Sequence, residues 1–198
     1  MSLLAGHQVE VLDTETTGLN PDEGHALVEI ARVSVMDGVI GPTWSSLVRP
    51  GRPIPPEATA VHGITDAMVA EAASVAEVAE RVRRDCEDRT LVFHHAAFDL
   101  PFLMAALRAA GQPPLLAPIV DTLGLARGLF QAGSNSLGAL AARLGLLREP
   151  QHRALGDALT TARLFILLAE RWERERGVRS LAELAATSQD VLRLAGRR

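Results

Sequence analysis

Cysteine occurs once in the 198 residues, at Cys86. An internal disulfide is therefore excluded, and no cysteine–histidine cluster has zinc-ligand spacing. The sequence has no run of 18 apolar residues and no charged-then-apolar leader, so the expectation is a cytoplasmic protein with no membrane partner. Positive charge is also scarce. The formal net charge of −4 argues against a protein that holds long nucleic acid on a basic surface. It leaves room for an enzyme that grips a few nucleotides, with bound metals and local arginines meeting the phosphates. Internal repeats, low-complexity tracts and long linkers are missing too.

What remains is ordinary globular composition, 47% hydrophobic and 22% charged, on a chain long enough to bury roughly 70% of its unfolded surface. Val9 to Leu12 reads as a buried strand, Leu27 to Met36 as a β-branched second strand interrupted by Glu29, Arg32 and Ser34. Val39 to Val48 returns after the Asp37-Gly38 hairpin, with Pro42 marking an edge or a bulge. Arg49 to Pro56, with four prolines, predicts an extended excursion. Thr65 or Asp66 caps a short helix, and Ser74-x-x-Glu77 is a capping box for the next, to about Arg84. Thr90 to His94 and Ile119-Val120 read as short strands. Helices are expected over Phe98–Ala110, with Pro101 in the first turn, from Asp121 or Thr122, over Ser136–Leu144 and over Leu155–Arg176. Ser180 to Ala195 predicts one or two more. The order implies α/β architecture: a domain over residues 1–176, and residues 177–198 as a helical extension packed on it or trailing from it.

The chemistry starts where the first strand meets Asp13 and Glu15. Strand alternation sends both to one face and Thr14 to the other. Two adjacent carboxylates repel, and a hard divalent cation, Mg²⁺ or Mn²⁺, relieves both repulsion and desolvation. Thr16-Thr17-Gly18 then turns the chain and leaves backbone N–H groups beside them. Asp99 opens a helix after a buried strand, and Asp157 sits early in another, five residues after His152. Capping and the helix dipole, worth about 0.3–1 kcal/mol, account for either acid alone. Four acids at element ends, with one histidine in reach, make a two-cation site for phosphodiester hydrolysis the economical hypothesis, His152 taking the proton of the attacking water.

Five segments then carry a resemblance: Asp13-Thr14-Glu15-Thr16-Thr17-Gly18, Val61-His62-Gly63-Ile64-Thr65, His94-His95-Ala96-Ala97-Phe98-Asp99, Val120-Asp121-Thr122-Leu123 and His152-Arg153-Ala154-Leu155-Gly156-Asp157. In this order they resemble the DEDDh branch of 3′–5′ exonucleases, the branch of proofreading epsilon subunits and ribonuclease T, over about Val9 to Leu168. The resemblance implies a ribonuclease H-like three-layer fold, a mixed, mainly five-stranded sheet flanked by helices. It implies Asp13, Glu15, Asp99 and Asp157 as ligands of two Mg²⁺ or Mn²⁺ ions, and His152 as general base. Thr16 and Thr17 would meet the terminal nucleotide, with Val61, His62, Phe98 and Glu57 around its base and sugar. The family usually has asparagine where this chain has His95, which implies altered local bonding. The implied activity releases nucleoside 5′-monophosphates from 3′ ends, single-stranded or frayed DNA first, in proofreading or repair. A DNA polymerase subunit is a partner the resemblance admits, although no clamp-binding peptide follows Asp157. RNA trimming is the alternative within the class, and a non-catalytic module binding nucleic-acid ends or a polymerase the alternative outside it. A monomer and a homodimer both fit.

Overall fold

In a computed structural model the described residues are 2–130, 132–147 and 149–195. Five strands form one sheet: β1 (Gln8–Thr16), β2 (Leu27–Met36), β3 (Val39–Leu47), β4 (Thr90–Phe93) and β5 (Ile119–Asp121), in the order β3-β2-β1-β4-β5. The two hairpin-linked pairs on one side of β1 are antiparallel, while β1, β4 and β5 run parallel. From β1 the chain runs out to β2 and β3 on one side and then places β4 and β5 on the other, and ligands of open α/β sheets favour the carboxyl ends of strands at such a switch of order.

Alternation along β1 splits the core. Val9 and Val11 join Ala31, Val33 and Val35 under α5 (Thr122–Leu129), α6 (Leu137–Leu144), α7 (Ala154–Arg176) and α8 (Leu181–Ala195). Leu12 and Ile30 face the other way, onto α3 (Val75–Cys86) and α4 (Ala96–Ala109). Two shorter helices, α1 (Pro56–His62) and α2 (Asp66–Val69), complete the fold near the start of β2 and the end of β3. Helix α7 lies against the sheet through small residues, Gly156, Ala158, Ala162 and Ala169, with fully buried Leu164, Phe165 and Leu168 between them. Each large side chain buried this way contributes roughly 1.5–3 kcal/mol.

Of the polar interruptions of β2, Glu29 and Ser34 are buried and Arg32 is half-buried. Arg32 and Ser34 both bond Glu10 Oε2, at 2.7 Å, and Arg32 also meets Asp85 of α3. Pro42 sits on the edge strand, at a register shift between β2 and β3. The capping box at Ser74 forms in both directions.

Two local expectations need correction. Helix α4 begins at Ala96, two residues early, so Pro101 falls in the second turn. Asp121 drives the early start: its carboxylate accepts from the N–H groups of His95 (3.0 Å) and Ala96 (2.8 Å). Pro101 is tolerated because the carbonyl it leaves free belongs to exposed Ala97. Helix α1, absent from the sequence reading, starts at the last proline of the excursion, with Glu57 in its first turn and Gly63 left-handed at its end.

Candidate active site

Asp13 and Glu15 project from the carboxyl end of β1 toward α7, and Asp157 rises from the first turn of that helix. One oxygen from each of the three carboxylates lies within 4.8 Å of the other two. Gly156 permits this approach: a Cβ there would stand 2.1 Å from the Pro150 carbonyl oxygen, so only glycine lets the preceding loop fold back on the helix. Asp99 arrives from the opposite face of the sheet. β4 stops at Phe93, and Asp99 Oδ1 takes the backbone N–H of Thr14 (3.0 Å) and its hydroxyl (2.7 Å). Asp99 is thus outside the three-acid cluster, held beside it by the residue between Asp13 and Glu15. His152 precedes α7 in an exposed left-handed turn, φ 57°, its N–H donating to Asp157 Oδ2 at 2.8 Å.

Next to the carboxylates opens a cleft of about 480 Å³. Thr16, Thr17, Glu57, Val61, His62 and Phe98 all line it, together with Glu15. Its rim is apolar, with Val61 57% and Leu19 83% exposed. His62 is buried; its Nδ1 accepts from the Ile64 N–H at 3.0 Å, which puts the proton of the neutral ring on Nε2. That nitrogen is buried and makes no well-formed hydrogen bond among the described residues, with the Thr16 backbone as its near polar neighbour.

An exonuclease family model matches residues 11–165. The chain belongs to the exonuclease family. A DNA polymerase III subunit epsilon-like protein from Rhodobacter capsulatus is 46% identical over 163 residues, 80% of this chain but 23% of that protein. The chain therefore spans less than a quarter of the curated relative it matches. Exonuclease X, solved with 5′-overhanging duplex DNA, is 32% identical with a TM-score of 0.73, over 91% of this chain and 99% of that one. The nuclease domain of 3′hExo, a DEDDh family member solved with rAMP, shares the fold at 18% identity and a TM-score of 0.70, over 85% and 92% of the two chains. The chain thus has the ribonuclease H-like fold of the DEDDh 3′–5′ exonucleases, with the mixed five-stranded sheet between helices that the sequence predicts.

The electrostatics of the site describe a cation binder. Burial, then the charges of Asp99, Asp157, Glu15 and Glu29, hold the Asp13 carboxyl well above the usual carboxylate range. Burial and Asp157 push Glu15 up to about 8. Burial pushes Asp99 up to about 7 despite the two Thr14 hydrogen bonds, and raises Asp157 against the His152 N–H. Anionic oxygens that strain to hold protons suit a hard divalent cation, and the exonuclease fold with this carboxylate cluster implies divalent metal use. Burial lowers the His62 pKa, so the ring stays neutral as a donor.

His95 takes φ 75° at the start of α4, a left-handed conformation in which asparagine and histidine are both enriched. The link to the sheet runs through its backbone N–H, and its side chain is exposed. His94 turns inward to Thr122 Oγ1 and the Asn135 carbonyl; burial drives it down to about 4, a packed, neutral histidine.

Asp121, fully buried, caps α5 as the sequence predicts; sequence reasoning missed that it also ties β5 to the start of α4, and missed His25 and Glu29 altogether as contributors. His25 packs against Gly18, where a Cβ would stand 2.3 Å from its ring, and its Nδ1 meets Thr17 Oγ1 at 3.2 Å. Glu29 lies opposite Glu15 across the β1–β2 pair. Gly18 stood inside the first motif and signalled a close approach; nothing in the sequence marked Glu29 apart from other strand acids.

Proposed function

We propose that this domain removes nucleoside 5′-monophosphates from the 3′ end of single-stranded or frayed DNA, in proofreading or repair. The convergence of Asp13, Glu15 and Asp157 beside an apolar-rimmed cleft carries the reading. DNA is favoured over RNA because the relatives at 46% and 32% identity are named for a DNA polymerase subunit and solved on duplex DNA. That polymerase name also motivates a polymerase subunit as a partner.

Asp13, Glu15, Asp157 and Asp99 would hold two Mg²⁺ or Mn²⁺ ions. Bound there, such ions supply positive charge to the attacking and leaving oxygens and lower the pKa of water. The protein's part is positioning. Val61 and Phe98 offer apolar faces to the terminal base, a contact tolerant of sequence. The Nε2–H of His62 donates to the sugar or phosphate of the terminal nucleotide, which completes its bonding. Glu57 lies at the outer wall beside the sugar, and Thr16 and Thr17 present backbone to it. His152 accepts the proton of the attacking water; the water oxygen bonds phosphorus, the P–O3′ bond breaks, and the departing O3′ takes up a proton from solvent.

Incubating 5′-labelled single-stranded DNA, a mismatched primer–template and RNA with Mn²⁺, with and without chelator, tests this. A chelator-sensitive ladder shortening from the 3′ end, faster on DNA, is expected. Intact oligonucleotides in every lane refute the activity, and faster RNA shortening refutes the substrate.

A further inference from the structure

Glu29 is a buried carboxylate, 4% exposed, that adds a like charge beside an already crowded anionic cluster. It is not one of the three acids that converge. Burying such a group is costly unless its oxygens are fully engaged. They are: Oε1 accepts from Arg153 Nη2 at 2.8 Å, and Oε2 from Arg153 Nε at 3.1 Å and the Ala154 N–H at 2.9 Å. The guanidinium is gripped by both oxygens, the strong and directional form of such a pair.

These partners lie 124 and 125 residues away, at the first turn of α7. Arg153 is the capping position of that helix, yet its side chain caps nothing locally; the carboxylate from β2 satisfies the first helical N–H instead. Immediately before stands His152, its own N–H on Asp157 Oδ2. The peptide from His152 to Ala154 is therefore held at both ends, by α7 on one side and by the sheet on the other.

We propose that Glu29 and Arg153 form a clip that positions His152 over the carboxylates of β1. The proposal rests on the exonuclease reading and on His152 as its base. Neither clip residue touches the reacting atoms. Their effect is to fix the His152 backbone against β2, where Glu29 pairs with Glu15 of the neighbouring strand, leaving the imidazole only its own torsions. Misplacement by about 1 Å costs on the order of 100-fold in rate, while a general base contributes about 10²–10⁴-fold.

The experiment measures kcat, KM and the Mn²⁺ activation midpoint on a 5′-labelled oligodeoxynucleotide for the wild type, Glu29→Gln, Arg153→Lys, His152→Ala and both clip variants combined with His152→Ala. Glu29→Gln is expected to lower kcat about 10–100-fold with KM and the Mn²⁺ midpoint within about threefold. Arg153→Lys keeps the charge but not the fork, on a side chain 44% exposed, and lowers kcat less without threatening the fold. In the His152→Ala background either clip substitution changes the residual rate by less than about threefold, because a group that acts through His152 has nothing left to position. An equal loss in both backgrounds, or a loss confined to KM or the Mn²⁺ midpoint, overturns the clip. So does a wild-type kcat in both clip variants, and that result leaves the nuclease reading intact. A wild type that leaves the oligonucleotide whole refutes the reading itself, and the clip's role with it.

Discussion

Replacing Glu15 with glutamine should make the metal-free protein more stable and less dependent on pH. Burial and the neighbouring acids raise the Glu15 pKa from 4.5 to about 8 in the folded chain. Because the folded-state value lies above the unfolded one, the fold is favoured while Glu15 keeps its proton and loses that advantage as pH rises toward and through about 8. Between pH 7 and 9 the loss from this one group comes to about 1.4 kcal/mol. Asp99, raised to about 7, adds to it in the same direction. Few other groups intrude: the chain has no lysine and no tyrosine, burial pushes the Cys86 thiol up to about 12, and Asp13, held well above the usual carboxylate range, acts in the same direction as Glu15. For a domain of this size about 1.4 kcal/mol lowers Tm by roughly 3–6 °C. The assay is thermal unfolding in chelator at pH 7 and pH 9. The wild type should lose that increment, and Glu15→Gln should lose less and, at pH 9, exceed the wild type by roughly 2–5 kcal/mol. Added Mn²⁺ should raise the wild-type Tm, most at pH 9, and the Glu15→Gln Tm little. A metal-free wild type whose Tm is flat or rising from pH 7 to 9 refutes the reasoning.

Asp157→Asn should abolish turnover, by more than about 10³-fold, with an unchanged circular dichroism spectrum; a wild-type rate in that variant removes Asp157 from the metal site. Gly156→Ala should lower kcat at least tenfold, since its Cβ would meet the Pro150 carbonyl at 2.1 Å and displace the loop bearing His152. Steady-state kinetics check this, and an unchanged kcat disproves it. Phe165→Ala, in the fully buried seam between α7 and the sheet, should cost about 3–5 kcal/mol in urea unfolding, with the slope unchanged.

The parts of the molecule legible in the sequence are those in which local chemistry decides the outcome. Alternation alone put Asp13 and Glu15 on one face, and Ser74 and Glu77 announced their helix by a reciprocal bond that needs only four residues. Helix α4 was misplaced by two residues because its start is dictated by Asp121, some 25 positions later. Glu29 was read as a polar interruption because its partners at Arg153 and Ala154 come together only once α7 has docked. Helix α1 did carry signals, a proline at its start and a glycine past its end, but three further prolines just before it masked them. Within the site, the residue types could be read one by one. The cleft that gathers Thr16, Glu57, Val61, His62 and Phe98 is a product of tertiary packing.

Asp99 deserves to be seen also as a piece of sheet. Where β4 runs out, its oxygen fills the place of the missing rung, stitching the open flank of β1 at Thr14. An oxygen sewn into the ladder cannot wander without unzipping the strand that carries its two neighbours. Rigidity at the floor of the cleft is therefore inherited from the architecture itself, and the same stitch that completes the sheet keeps a fourth acid in register for whatever settles there.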